Sequence, residues 1–532
     1  MDTARNRPLI LVSLLIAAFA INLDTTIVNV ALPTLVRELH ATNSQLQWVV
    51  DAYNLVFASL LLAAGSLSDR IGRKGMLLGG LAVFGLASVA GGLTASAGQL
   101  IAARCFMGLG AAMVFPATLS LIANIFTERG ERARAIGLWG ATAGVAIALG
   151  PIVGGWLLER FSWSSIFFAM APVAALAVGL VAWSVPRSSD PHAPKVDRPG
   201  FLLSTAGMAL LIYTIIEAPE HGWGSARSIA GFVLFAALAV TFVAWERRAR
   251  HPMLDIDLFR NPRFTAASAS VTVAFFTLFG FIFLITQYFQ FIKGYGPLSA
   301  GVHLLPVATA VGISSVLGTK LAVRFGTKLV VATGLLLIAC FYAWVATSSA
   351  STSYTTIAVE MVIYGVGMGF TSAPATEAIM GVVPEHKAGV GSAVNVATRL
   401  LGGTLGVAII GSVYASLYTS RLTATLPARL LSPSLADSAH QSIGAAFEVA
   451  ARLSAAGQTS IAGGLHTAAS NAFIHGLSAG CLLAGGVALA SAVMAALLLP
   501  AQPSRDPDPL VAGQDLGGAS GLPADAGLIV RS

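Results

Sequence analysis

SLSDRIGRK, residues 66–74, recurs as KLAVRFGTK at residues 320–328. Leucine, arginine, glycine and lysine coincide in the two nonapeptides, and the offset is 254 residues. Each copy is a short charged turn between two long apolar runs. Reading every apolar run as a helix of about 20 residues gives fourteen runs. Their limits are 9–32, 47–67, 76–96, 100–122, 136–158, 165–185, 201–218, 229–245, 265–290, 300–322, 329–347, 355–379, 393–418 and 473–499. The repeat joins the turn after run two to the turn after run ten. A shift of eight runs is what two six-helix halves separated by an inserted pair would produce.

Composition sets the solvent. Of the 532 residues, 56% are hydrophobic and 10% charged, against about 25% charged in soluble domains. The mean hydropathy is +0.78. Only helices or closed barrels satisfy their backbone in lipid, and these runs are too long and too apolar for barrel strands. The expected fold class is therefore an all-α polytopic membrane protein of 14 transmembrane helices arranged 6 + 2 + 6. The expected parts are an N-terminal six-helix bundle (1–185), a linker with two extra spans (186–263) and a C-terminal six-helix bundle (264–499). The last contains a long outer loop, 419–472, with an amphipathic helix around Ser442 to Ala455. A disordered cytoplasmic tail, 500–532, follows.

Charge gives the orientation. Lysine and arginine number 22 on one side of the predicted spans and 7 on the other. The positive-inside rule places both termini in the cytoplasm of a multi-pass protein of the inner (cytoplasmic) membrane. The net charge of +7 is spread over these loops and is not a nucleic-acid signal. Cys105, Cys340 and Cys481 all fall in predicted spans and imply no disulfide framework. No Walker loop, HExxH, CxxC or nucleophile elbow stands in a plausible loop. The chain is thus read as no enzyme, with no metal and no cofactor, and driven by an ion gradient.

Several motifs bear charge or glycine where lipid would disfavour both. Asp24 lies in LDTTIVNVALP (23–33) of the first run, and Arg104 in RCFMGLGAA (104–112) of the fourth. An ionised group in a span costs several kcal/mol unless it meets a partner or water. Burial of a carboxyl favours the neutral acid, and a nearby guanidinium favours the carboxylate. Two readings stand: a switchable proton site, or a fixed Asp–Arg pair that only joins two helices. Asn22 and Asn29 flank Asp24, as helix-to-helix glue or as lining of the outer vestibule. Glu360, near the outer end of run twelve, is a further candidate for a cation or proton. Glu217 and Asp51 read as boundary residues, and Glu377 with Arg399 as a structural pair. In run five, Gly140, Gly144, Gly150, Gly154 and Gly155 recur near four-residue spacing beside Pro151, which suits close helix contact with a bend.

These stretches resemble the fourteen-span drug:proton antiporters of the major facilitator superfamily, the QacA/EmrB type. LDTTIVNVALP is similar to that family's first-span signature. GSLSDRIGRK (65–74) resembles the superfamily's loop between spans two and three, and GATAGVAIALGPIVGG (140–155) the antiporter motif of span five. YGVGMGFTSAP (364–374) and residues 383–408 resemble the family's twelfth-to-thirteenth-span region. Two positions depart from the pattern: Met107 replaces a customary glutamine, and FSWSSIF (161–167) lacks an arginine.

From charge placed within spans, the expected proton-coupling residues are Asp24 with Arg104, and Glu360 as a further cation or proton site. The resemblance implies a conformational latch formed by Gly65, Asp69, Arg70, Gly72, Arg73 and Lys74, where positive-inside anchoring is the plainer alternative. The second copy carries Val323 in place of Asp69 and makes a weaker latch. Expected partners are small lipophilic substrates, with cationic ones as one class and neutral or anionic metabolites as the other, together with protons and the bilayer. The expected function is proton-coupled export of lipophilic drugs by alternating access. A dedicated exporter of one antibiotic or metabolite is the second reading. A non-transporting receptor or lipid-handling protein on the same fold is a third.

Overall fold

The computed structural model describes residues 7–126, 128–186, 197–249, 252, 256–382, 388–425 and 431–500. Residues 501–532 of the expected tail and the side chains of Asp69 and Arg70 lie outside the described residues.

The described residues are helical throughout. The first group is α1 (Arg7–Leu39), α2 (Asn43–Ile71), α3 (Arg73–Gly92), α4 (Ala97–Ile125), α5 (Arg129–Arg160) and α6 (Ser165–Ser184). Next come α7 (Arg198–His221) and α8 (Ala226–Glu246). The last group is α9 (Pro262–Gln287), extended by a π turn (Tyr288–Ile292), then α10 (Pro297–Val302), α11 (Leu305–Phe325), α12 (Thr327–Val345) and α13 (Tyr354–Val382). It ends with α14 (Ala388–Thr425), α15 (Pro433–Gln441), α16 (Ile443–Ala455) and α17 (Thr459–Leu498). Twelve helices or helix pairs among the described residues are long and apolar enough to cross a membrane. The other two helices of spanning length are α2, with 29 residues, and α5, with 32.

The repeat seen in the sequence is repeated in the packing. α2 and α3 both lie on α4, as α11 and α12 both lie on α13. α1 packs on α5 as α9 packs on α14, and α3 on α6 as α12 on α17. The two nonapeptides make the same turn. Gly72 joins α2 to α3 at φ 114°, and Gly326 joins α11 to α12 at φ 91°. A side chain rarely tolerates that region, which is why glycine stands in both copies. α7 and α8 stand outside this scheme. α7 packs on α2 and α14, where Leu55, Ile212, Ile215, Ile216 and Ala408 form a small buried cluster.

Two expectations are corrected here. The outer segment 419–472 is mostly helix, not loop: α14 runs to Thr425, α15 and α16 follow, and α17 starts at Thr459. Its alanine-rich composition favours helix, and α16 buries Ile443, Ala446, Val449, Ala450 and Leu453. Ser442 caps α16 by accepting the Ala445 N–H at 3.1 Å, at the start of the helix read from sequence. Glu377 and Arg399 do not form the expected pair. Arg399 donates to the Thr376 hydroxyl at 2.9 Å and lies 5.1 Å over the Phe275 ring.

Candidate functional site

Asp24 and Arg104 meet. Arg104 Nη1 donates to Asp24 Oδ2 at 2.5 Å, with both side chains 1% exposed. The guanidinium also donates through Nε to the Val49 carbonyl at 2.9 Å and lies 4.3 Å over the Tyr53 ring. Tyr53 in turn donates to the Ile21 carbonyl at 3.1 Å. One arginine from α4 therefore ties α1 to α2. Gly108, one turn beyond Arg104, makes this possible, because a Cβ there would stand 2.5 Å from the Tyr53 carbonyl. Arg104 lies about 10 Å from the start of α4, whereas α1 continues to Leu39 and leaves Asp24 about 22 Å from its end.

Around Asp24 the face of α1 is closed by α5. The Thr26 hydroxyl donates to the Ala146 carbonyl at 3.0 Å, and Asn22 to Thr142 Oγ1 at 3.4 Å. Asn29 donates to the Thr25 carbonyl at 3.1 Å, while its buried Oδ1 has no partner. A Cβ on Gly150 would meet Thr26, and one on Gly154 would meet Ile27. Pro151 and Gly155 lie at the seam with the last helix group. A Cβ on Gly155 would stand 2.5 Å from the Leu298 Cα, and the Pro151 carbonyl abuts Gly301. Gly140 faces open space, and the surroundings of Gly144 lie outside the described residues.

The structure adds an acid that sequence reading assigned to a boundary. Asp51 in α2 is fully buried, and neither carboxylate oxygen has a hydrogen-bond partner. Asn54, less than one turn on, is likewise buried with both amide atoms unpartnered. A buried carboxylate without partners is costly in a membrane, so this position calls for a proton or a ligand. Its helical spacing from Gln47, which binds Ser412 of α14, was the available signal.

Glu360 lies elsewhere, in α13, 1% exposed. Its nearest hydrogen-bonding group is the Ser348 hydroxyl, at 3.5 Å. It lines a cavity with Phe281, Tyr288, Phe341, Tyr342 and Met361. The tyrosine hydroxyls point away and are satisfied: Tyr342 by the Thr277 carbonyl at 2.6 Å, Tyr288 by the Ser349 carbonyl at 2.8 Å. Ring faces and one carboxylate are left to the cavity. Its size here suits about one water molecule. Of the six phenylalanines of α9, Phe281 is the one lining this cavity.

At the latch loop, Lys74 Nζ donates to the Ala182 carbonyl at 2.8 Å, an anchor within the first helix group. Gly65 lies against Pro116. Among the described residues, the hydrogen bonds joining the first and last groups gather at the end carrying the α1–α2 turn. Gln290 donates to the Val30 carbonyl at 2.9 Å, the Leu298 N–H to Glu159 at 3.2 Å, and Ser412 to Gln47 at 3.2 Å.

A duplicated helical scaffold, with buried charge near its middle and contacts between halves gathered at one end, defines a polytopic membrane carrier. The sequence profile of the Major Facilitator Superfamily matches residues 14–407, and the chain belongs to that family. It is 36% identical over 409 residues to the multidrug resistance protein Stp of Mycobacterium tuberculosis, covering 77% of this chain and 76% of Stp. It is 34% identical over 474 residues to the multidrug efflux pump LfrA of Mycolicibacterium smegmatis, covering 89% and 92% of the two chains. Its fold is similar to that of a bacterial homologue of the human lysosomal transporter Spinster, solved in an inward-facing, occupied conformation. The TM-score is 0.66 at 15% identity, with 93% and 97% of the chains covered. The chain is accordingly a multi-pass transporter and not an enzyme, among relatives that confer drug and antibiotic resistance.

Proposed function

We propose that the chain is a proton-coupled antiporter that exports lipophilic, cationic compounds across the cytoplasmic membrane. The observation that carries this is the buried Asp24–Arg104 pair at 2.5 Å, in a chain whose relatives are efflux and resistance proteins. In the proposed topology α2 and α5 also cross the bilayer. That gives fourteen spans as six, two and six, with both termini cytoplasmic, and places the chain with the fourteen-span antiporters. The gradient supplies the energy and no cofactor takes part.

In the proposed cycle the outer end is closed by the Gln290, Glu159 and Ser412 contacts, and substrate arrives from the cytoplasm or the inner leaflet. Opening the outer end separates α5 from α10, at Gly155, and α2 from α14, at Gln47. Water then reaches the acids of the first helix group. A proton on Asp24 weakens its hold on Arg104, leaving the guanidinium to Val49 and Tyr53. Asp51, buried without partners, is the second candidate proton carrier. Exchange requires that proton and substrate differ in affinity for the two facing states. Glu360 among aromatic rings supplies attraction for a cation through its charge and through ring faces, once its cavity widens.

The test is substrate-triggered proton release by purified protein in proteoliposomes, with a panel of lipophilic cations. Wild type releases protons and Asp24→Asn does not. Normal release by a folded Asp24→Asn would remove Asp24 from the mechanism. Silence of wild type across the panel would favour a dedicated metabolite exporter.

A further inference from the structure

The pair α7–α8 carries a groove that transport chemistry does not use. It opens where α7 ends and α8 begins, with Leu210 and Leu234 as apolar wall and Tyr213, Glu217, His221 and Arg227 as polar lining. α8 turns nearly all of its length outward, burying only Ser228 and Glu246 among its described residues. In a membrane that face meets lipid. Trp223 stands exposed at the same end, and Trp48 lies 6.4 Å from Tyr213, as aromatic rings do at a membrane–water boundary.

The polar lining is arranged as a dipole. Arg227 Nη1 donates to His221 Nε2 at 2.5 Å, and its second amino group donates to the Tyr213 hydroxyl. His221 Nδ1 donates to the Glu217 carbonyl at 3.1 Å. An imidazole that donates at Nδ1 and accepts at Nε2 is neutral, so Arg227 is the cation of the group. It sits in the first turn of α8, where free backbone amides add positive field. Glu217 sits in the last turn of α7, where free carbonyls add negative field, and no hydrogen bond engages its carboxylate among the described residues. The neighbouring acid, Glu220, is engaged, accepting from the Ser44 hydroxyl at 3.1 Å. The groove therefore presents one positive and one negative centre, on two different helices, in one lining with an apolar wall.

We propose that this groove binds a phospholipid bearing both a phosphate and a primary ammonium, a phosphatidylethanolamine-class lipid of the outer leaflet. The phosphate takes the remaining N–H donors of Arg227, and the ammonium takes Glu217. The acyl chains run down Leu210 and Leu234. An anionic headgroup without an amine would meet Glu217 unfavourably, and a trimethylated one would bring no N–H to it.

The experiment uses full-length protein, delipidated in detergent, with lipid retention read by native mass spectrometry. Phosphatidylethanolamine, phosphatidylcholine and phosphatidylglycerol of matched chains compete at equal concentration. Wild type retains the ethanolamine lipid about tenfold over either competitor, the scale of one charge-assisted hydrogen bond. Glu217→Gln keeps phospholipid but loses the preference for ethanolamine over choline. Arg227→Gln loses retention of all three, and if it does not fold, Glu217→Gln alone decides. Equal retention of the three lipids by wild type, or an unchanged preference in Glu217→Gln, would overturn the proposal. Equal competition by soluble glycerophosphoethanolamine would overturn the lipid assignment and leave a soluble headgroup as ligand.

Discussion

Arg104 in α4 and Glu360 in α13 occupy corresponding places in a duplicated scaffold. Arg104 is seven residues, and Glu360 six, beyond the first residue of helices that pack in matching ways. Their surroundings are opposite. Arg104 is saturated: a carboxylate, a backbone carbonyl and a tyrosine ring hold it. Glu360 has one distant hydroxyl and a wall of rings. The same backbone thus supports two electrostatic designs. In the first half the charge is consumed in holding helices together, and in the proposed cycle it is freed when Asp24 takes a proton. In the second half the charge is left for something that is not protein. Under the proposed function, the N-terminal group reads protons and the C-terminal group reads an organic cation.

The largest expected effect breaks the first design. Arg104→Ala removes one partner of a buried pair and leaves Asp24 uncompensated, a loss of about 3–5 kcal/mol. Thermal unfolding in detergent checks it, and transport falls with stability. Arg104→Ala combined with Asp24→Asn recovers most of the stability and none of the coupling. If the double substitution also restored coupled transport, the pair would be structural only, and the contrast between the halves would lose its first term.

Glu360→Gln comes next. The substitution leaves the fold intact, since nothing in the described structure depends on the carboxylate except the Ser348 contact. Affinity for monovalent organic cations drops by about tenfold, the scale of one charge-assisted interaction, while neutral substrates are unaffected. Fluorescence polarisation of a cationic dye measures it. Proton release triggered by a neutral substrate should persist in this variant. A variant that lost coupling for neutral substrates too would move Glu360 into the proton path and blur the division.

How much of this was legible before the structure depends on what each feature rests on. The halves were visible because a turn needs glycine at positive φ wherever it occurs, so Gly72 and Gly326 mark the same joint twice. Asp24 and Arg104 were visible because charge in a span is costly and stands out. A pair joining two helices was one of the two readings of them, and the structure brings them into contact across 80 residues and two intervening helices. Asp51 was missed because helix ends are blurred in sequence. A residue five positions into run two reads as a boundary, although α2 begins at Asn43 and carries it inside. The outer segment was misread because alanine and serine are compatible with both loop and helix, and the deciding term is burial against α17 and α1. The cavity at Glu360 was out of reach: the six phenylalanines of α9 look alike until their neighbours are known.

The smallest expected effect tests whether the two joints are equivalent in cost and different in use. At Gly72, φ is 114°, and at Gly326 it is 91°. Alanine at either position forces a Cβ into a conformation that disfavours it by about 1–2 kcal/mol. The stability loss should therefore be similar for Gly72→Ala and Gly326→Ala, read as a shift in detergent unfolding temperature. Transport should separate them. Lys74, two residues after Gly72, reaches the end of α6 at Ala182. In the second copy Val323 stands where the first has Asp69. If the first loop is a latch, a backbone shift at Gly72 disturbs a charged loop that engages during alternation, whereas the same shift at Gly326 disturbs a turn without that acid. Gly72→Ala should slow transport severalfold beyond its stability cost, and Gly326→Ala should slow it only in proportion. Equal slowing would mean that the loops serve as anchors in both halves, and the asymmetry between the halves would then reside in their buried charges alone.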